Sequence, residues 1–268
     1  MIKDITLGQY FPGDTFIHKL DPRTKILALL AYIVITFCIN NFFGYIALAI
    51  FIAATIIISE IPPVFVIKGL KPIFIFIVIT GLFNLFLTNG EVIWQWKFLK
   101  ITKEGIEFAI FMILRLVFLV LGTSLLTLTT SPISLTDGME SLLRPFTKIG
   151  LPAHELSMMM SIALRFIPVL MEETDKIMKA QAARGADFES GNLIARAKAL
   201  IPILIPLFVS AFRRADELAT AMECRCYTGG ENRTRLYVLK FERRDLFAAL
   251  SVLLLLGIVI LLNTFVKI

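Results

Sequence analysis

The sequence predicts an all-α integral membrane protein, with about five transmembrane helices plus a cytoplasmic domain of long amphipathic coupling helices. Three observations carry that expectation. The 268 residues are 57% hydrophobic and only 18% charged, with a mean hydropathy of +0.81, far more apolar than a soluble domain of this length requires. Up to Thr130, apolar runs of membrane length alternate with short polar connectors. From Pro132 to Arg244, charges return at regular intervals. These composition changes divide the chain into an N-terminal membrane domain over residues 1–131, a cytoplasmic domain over 132–243 and a C-terminal transmembrane helix over 244–268.

Residues 1–25 are polar and contain His18-Lys19-Leu20-Asp21-Pro22-Arg23-Thr24-Lys25, which lacks the apolar centre of a cleavable signal. Asp21 is placed to cap a first helix and Pro22 suits its opening turn. Ile26–Ile39 and Phe42–Ser59 read as an antiparallel transmembrane pair separated by Asn40-Asn41. The first of these is short unless Arg23 and Lys25 extend their charged ends toward the interface. Glu60-Ile61-Pro62-Pro63 stops the second span, and Pro72–Asn89 makes a third, with Asn84 as its strongly polar interior residue.

The connector from Glu91 to Gly105 sets Trp94 and Trp96 in alternation with polar residues, a pattern of interfacial tryptophans and of a short hairpin. Ile106–Thr130 forms the fourth span and carries Arg115 near mid-depth, where a guanidinium is costly and marks either a functional group or a pairing with a polar neighbour such as Asn84. Asp137 and Glu140 suggest the start of a short helix that Pro145 would end at Arg144. Leu246–Val266 is the fifth span.

Between them lie two long helical segments, Ala153–Arg184 and Asn192–Arg225. Their apolar runs are broken by Arg165 and by Pro202 and Pro206, which favours amphipathic helices at the membrane surface over simple spans. On the first, Leu156, Met159, Ala163, Phe166, Ile167, Leu170 and Ile177 share a face that ordinary packing explains; its methionines also suit a surface that repacks against different partners. Each segment ends in an arginine flanked by small residues: Ala183-Arg184-Gly185 and Cys224-Arg225-Cys226. Asp175 and Asp216 lie nine residues before these arginines and Ala180 and Ala221 four before, so the pattern repeats at an offset of 41. One arginine alone would read as a cation facing the negative end of its helix. Two placed alike on long helices point to a docking device used twice.

Other chemistry lacks material. His18 and His154 are the only histidines, His154-Glu155 lacks the second histidine of a zinc-protease helix, and no phosphate-cradling glycine loop is present, so no catalytic residue or metal site is assigned. Cys38, Cys224 and Cys226 are too few for a disulfide framework and lack zinc spacing. The formal charge of +6 marks a cytoplasmic membrane surface rather than nucleic-acid binding. Basic residues concentrate in the N-terminal segment, the Glu60–Lys71 loop and Pro132–Arg244, which places all three in the cytoplasm; Lys97, Lys100 and Lys103 run against that trend.

Over its whole length the sequence resembles the transmembrane T component of energy-coupling factor (ECF) transporters, the EcfT or CbiQ-like family, in the shared type serving several uptake systems. The residues that carry the likeness are the leader His18–Lys25, Leu128–Pro132, Ala163–Pro168, Ala182–Phe188, Phe212–Leu218, Ala221–Glu223 and Arg225. The resemblance implies an ABC-type importer in the prokaryotic cell membrane. Two ATP-binding ABC ATPase subunits would hold the ATP and Mg, and a small substrate-binding S component would capture a vitamin or other micronutrient. This chain would hold no cofactor and perform no catalysis. The resemblance further implies that Arg184 meets one ATPase and Arg225 the other, although Cys224-Arg225-Cys226 departs from the family's usual Ala-Arg-Gly. A self-sufficient secondary transporter, a membrane enzyme and a passive membrane scaffold are the alternatives.

Overall fold

A computed structural model describes residues 10–96, 99–150, 152–186, 188, 192–229 and 239–265, without the side chains of 94–96, 99, 100, 193 and 195–197. The expected roles of Trp94, Trp96, Lys97 and Lys100, and the last residue of the expected fifth span, Val266, therefore fall outside what is described. The described residues within Gly8–Ser141 and Leu239–Ile268 form one compact unit; those within Leu142–Val238 form another.

In the first unit, α1 (Pro22–Cys38) begins as expected, with the Asp21 carboxylate accepting the backbone N–H of Arg23 and Pro22 in the opening turn. Asn41 caps α2 (Phe42–Ser59) by accepting from the Gly44 N–H, and Glu60 ends it in the left-handed conformation at φ 54°. The expected loop after Ser59 is helical instead: Pro63 opens α3 (Pro63–Lys68), because a proline that stops one helix is well suited to the first turn of the next. A 3₁₀ turn over Lys71–Ile73 leads into α4 (Phe74–Leu87). The connector does form a hairpin, β1 (Val92–Trp96) antiparallel to β2 (Leu99–Thr102), with an irregularity between Val92 and Trp94. Thr102 then caps α5 (Lys103–Thr129).

The next helix, α6 (Pro132–Leu143), starts before the expected Asp137 because Ser131 caps it, its hydroxyl accepting the Ser134 N–H at 3.2 Å. It ends at Leu143, just before Pro145, and a 3₁₀ stretch over Arg144–Ile149 follows. In the second unit lie α7 (Ala153–Ala183) and α8 (Leu193–Cys224), which run through Pro168, Pro202 and Pro206 without ending. The chain returns to the first unit with α9 (Arg243–Phe265).

Among the described residues five helical segments are long and apolar enough to cross a membrane: Phe42–Ser59, Pro63–Leu87, Lys103–Thr129, Ala153–Ala183 and Arg243–Phe265. The set differs from expectation at two places. The first helix, α1, has 17 residues and falls short. By contrast α7 qualifies, at a mean hydropathy of 1.2 against 2.1 to 2.8 for the other four. That gap reflects the charges spread along α7, which set it apart from the uninterrupted spans.

Helices α1, α2, α5 and α9 pack around one core, with α4 against the flank of α5. Ile35, Ile39, Leu48 and Val259 are fully buried there, and the Tyr45 and Phe118 rings stack at 6.0 Å. Gly122 is needed where α5 meets α1: a Cβ there would collide with the Tyr32 ring, whose hydroxyl donates to the Phe118 carbonyl at 2.8 Å. Large side chains such as Ile50, Ile57, Phe74, Leu246 and Phe247 are exposed on the outer faces, as lipid contact requires.

The two ends of the first unit's chain are tied together. The Asp21 N–H donates to Asp245 Oδ1 at 2.9 Å, and Asp245 Oδ2 accepts the Glu242 N–H at 2.8 Å. Arg23 pairs with the Asp21 carboxylate at 2.7 Å, lies 4.0 Å over the Phe241 ring and reaches Ser141.

Candidate functional site

The arginine-tipped helices pack directly on one another. Arg214 of α8 pairs with Glu173 of α7 at 3.2 Å, Gln181 donates to the Pro202 carbonyl at 3.4 Å, and the Tyr227 hydroxyl donates to Met158 Sδ at 3.1 Å. Residue numbers rise along one helix as they fall along the other, so α7 and α8 are antiparallel. Arg184 and Arg225 therefore sit at opposite ends of the pair. At ~1.5 Å per residue, the length of α8 from Pro202, beside Gln181, to Arg225 is about 35 Å. Glu173 and Arg214 are also 41 residues apart, so the ion pair joins equivalent positions of the repeat. A pseudo-twofold relation between the helices follows, centred near that pair.

The two ends have the same backbone construction. At the end of α7, the Ala186 N–H donates to the Gln181 carbonyl at 3.0 Å and the Gly185 N–H to Ala182 at 2.9 Å. At the end of α8, the Tyr227 N–H donates to Met222 at 3.1 Å and the Cys226 N–H to Glu223 at 2.9 Å. Both are Schellman motifs with the arginine as the last, half-helical residue, at φ −87°, ψ 5° for Arg184 and φ −94°, ψ 17° for Arg225. The following residue is left-handed in each, Gly185 at φ 88° and Cys226 at φ 55°. Cys226 thus adopts the conformation that glycine supplies at the first end, at a cost glycine does not incur.

Ala183, Arg184, Gly185, Cys224, Arg225 and Cys226 are all exposed. Among the described residues neither guanidinium has a hydrogen-bond or ion-pair partner, and the three cysteines are unpaired. Two solvated cations with rigid planar donor forks are thus presented on turns with nothing bulky beside them; around Gly185 the space for a Cβ is open. Such a tip can enter a cleft and make paired, charge-assisted hydrogen bonds to carboxylates.

The intramembrane candidates are not brought together. Asn84 donates to the Thr80 carbonyl of its own helix at 2.8 Å, whereas Arg115 donates to the Ile39 carbonyl at 3.3 Å and lies 5.4 Å from the Phe37 ring. Arg115 is a cation at the C-terminal end of α1, where the helix dipole favours it. Among the described residues no group of three or more His, Cys, Asp or Glu side chains is placed to hold a metal. The Asp21–Asp245 contact and the Glu173–Arg214 pair escaped sequence reasoning; for the second, the offset of 41 was the available signal.

The family model described as cobalt transport protein, CbiQ, matches residues 13–236 and so includes both arginine-tipped ends. The chain belongs to the CbiQ family. Within the CbiQ family it is similar to proteins named energy-coupling factor transporter transmembrane protein EcfT. It is 62% identical to that of Clostridium kluyveri over 97% of each chain. It is 48% identical to that of Bacillus subtilis over 98% of this chain and 100% of the relative. With that of Lactococcus lactis subsp. cremoris the identity is 44% over 97% and 98% of the two chains. Membership of the CbiQ family, together with the apolar helices, makes this a multi-pass membrane protein.

Proposed function

We propose that this chain is the energy-coupling subunit of an ABC-type ECF importer, linking ATP hydrolysis by two ATPase subunits to uptake of a vitamin or other micronutrient through a separate S component. One observation carries it: two exposed, unengaged guanidiniums stand on matching Schellman ends at opposite extremes of an antiparallel helix pair. Two like tips about 35 Å apart suit two like partners, not one. Ala183-Arg184-Gly185 docks one ATPase and Cys224-Arg225-Cys226 the other. ATP and Mg stay in those subunits, and this chain performs no catalysis.

Closure of the ATPases on ATP would move the tips relative to each other, and α7 and α8 would pass the movement on as rigid elements. Apolar residues exposed on α8, including Ile205, Phe208 and Phe212, offer a surface on which that movement can be felt by the S component or lipid. The excess of Lys and Arg supports a cytoplasmic N-terminus and long-helix unit, and the likeness to bacterial EcfT proteins supports a prokaryotic cell membrane.

The test is co-purification of both ATPases with Arg184→Glu and Arg225→Glu. Each variant is expected to insert into the membrane normally and to lose ATPase binding. Full recovery of both ATPases with both variants would sink the proposal. Substrate movement by this chain alone in liposomes would instead establish the self-sufficient transporter.

A further inference from the structure

Helices α1, α2, α5 and α9, with the turn before α1, line a half-open cavity of about 350 Å³ in the first unit. Its walls are apolar, among them Leu29, Ile52, Leu125 and Val252, with Phe16 and Leu20 from the turn. Four of the five hydroxyls that line it are committed to backbone carbonyls, Tyr32 to Phe118, Thr55 to Phe51, Thr129 to Leu125 and Ser251 to Ala248, and the fifth belongs to Thr24, beside Lys25 at the start of α1. Such walls suit a hydrocarbon and offer little to a polar solute.

One charged group also lines the cavity. Lys25 is 7% exposed, and its ammonium donates to the His18 carbonyl at 3.1 Å and the Thr129 carbonyl at 2.9 Å. An ammonium carries three donors, so one remains. Among the described residues no carboxylate lies within 4 Å of it. A buried cation without a contacting anion is costly; the Asp245 carboxylate acts on it only from beyond 4 Å, and the cavity walls supply no anion. The complement to this site is an amphiphile with a negative head and an apolar tail.

We propose that the cavity holds one acyl chain of an anionic phospholipid, whose phosphate accepts the free ammonium proton of Lys25. The chain runs from Lys25 toward Tyr32, a depth of about 10 Å along α1. The cavity is open on one side, through which an acyl chain can enter. The site is independent of nucleotide coupling and stands whether or not the arginine tips bind ATPases.

The experiment uses the full chain in nanodiscs of phosphatidylglycerol and phosphatidylcholine with identical acyl chains, followed by native mass spectrometry of the lipid retained. Wild type is expected to keep one phosphatidylglycerol, several-fold in preference to phosphatidylcholine. Lys25→Gln should abolish the preference, and Ala248→Phe, which fills the cavity, should abolish retention. Equal retention of the two lipids by wild type, or an undiminished preference in both variants, would overturn the proposal. A phosphatidylglycerol bearing a diazirine on its tail decides the matter in wild type alone should a variant fail to insert. Labelling of residues 26–32 or 51–58 is expected, and labelling confined to other helices overturns the site.

Discussion

Glu173 and Arg214 hold equivalent places on α7 and α8, and they meet as an ion pair at 3.2 Å. The contact crosses the centre of the pseudo-twofold helix pair and so sets how the two arginine tips are spaced. Both side chains are partly exposed, at 27% and 37%, so the pair contributes only about 0.2–1 kcal/mol. Its larger effect is on register. Glu173→Arg should lower the thermal midpoint of the solubilised protein by a few degrees at most and reduce ATPase stimulation on assembly. The charge-swapped double variant Glu173→Arg with Arg214→Glu should recover most of both, which a double-mutant cycle measures.

The two Schellman ends make opposite predictions for one pair of substitutions. Gly185→Ala forces a side chain into the left-handed region and should cost about 1 kcal/mol, with no steric collision to add to it. Cys226→Gly relieves about the same strain, offset in part by the freedom of the unfolded glycine, and should be neutral or slightly stabilising. Thermal unfolding of the two variants in detergent checks both signs. A clear loss of stability in Cys226→Gly would show that the thiol makes contacts the backbone geometry does not require.

Asp245 is 5% exposed, and its carboxylate takes the backbone N–H groups of Asp21 and Glu242. Removing it in Asp245→Ala leaves the buried Asp21 donor unpaired, at a cost of about 1–3 kcal/mol. Asp245→Asn keeps one acceptor oxygen and should lose less. The ordering of the three proteins in a thermal-shift series is the measurement.

His18 gives a pH signature. Burial lowers its pKa below the ordinary 6.5, while its Nε2–H donates to the Phe11 carbonyl at 3.0 Å. The unfolded chain therefore binds the proton more readily than the folded one. The contribution of His18 is fully present above pH 6.5 and declines as pH falls through the window just below it. The difference in thermal midpoint between wild type and His18→Gln should narrow on acidification from pH 7 to about 5. A constant difference across that range would refute it.

Local signals in the sequence were enough to place most helices. Asp21-Pro22, Asn41 and Asn192 mark helix starts that the structure reproduces, and Pro145 marks the end of α6. The repeat of small-Arg-small at an offset of 41 predicted that the two ends would be alike, and the backbone hydrogen bonds match position by position. The left-handed Cys226 was harder to see, since cysteine is not a residue that announces that conformation. Arg115 was legible as an anomaly but not in its role. Its partner is a main-chain carbonyl at the end of a short helix, and main-chain acceptors leave no mark in sequence. Nor could local pattern reveal that Asp21 and Asp245 meet, because 224 residues separate them.

That separation bears on how the protein is made. Helices α1 and α2 both rest against α9, and the Asp21 backbone waits for Asp245. During synthesis, at ~5–20 residues per second, the first helices spend roughly 10–45 s in the bilayer before their last neighbour emerges. By the end of that interval the long-helix unit has been made while the membrane core is still missing a wall. Closing the membrane bundle is thus the final act of biogenesis, and loss of α9 late in translation would leave a chain with intact arginine tips and an unfinished membrane bundle.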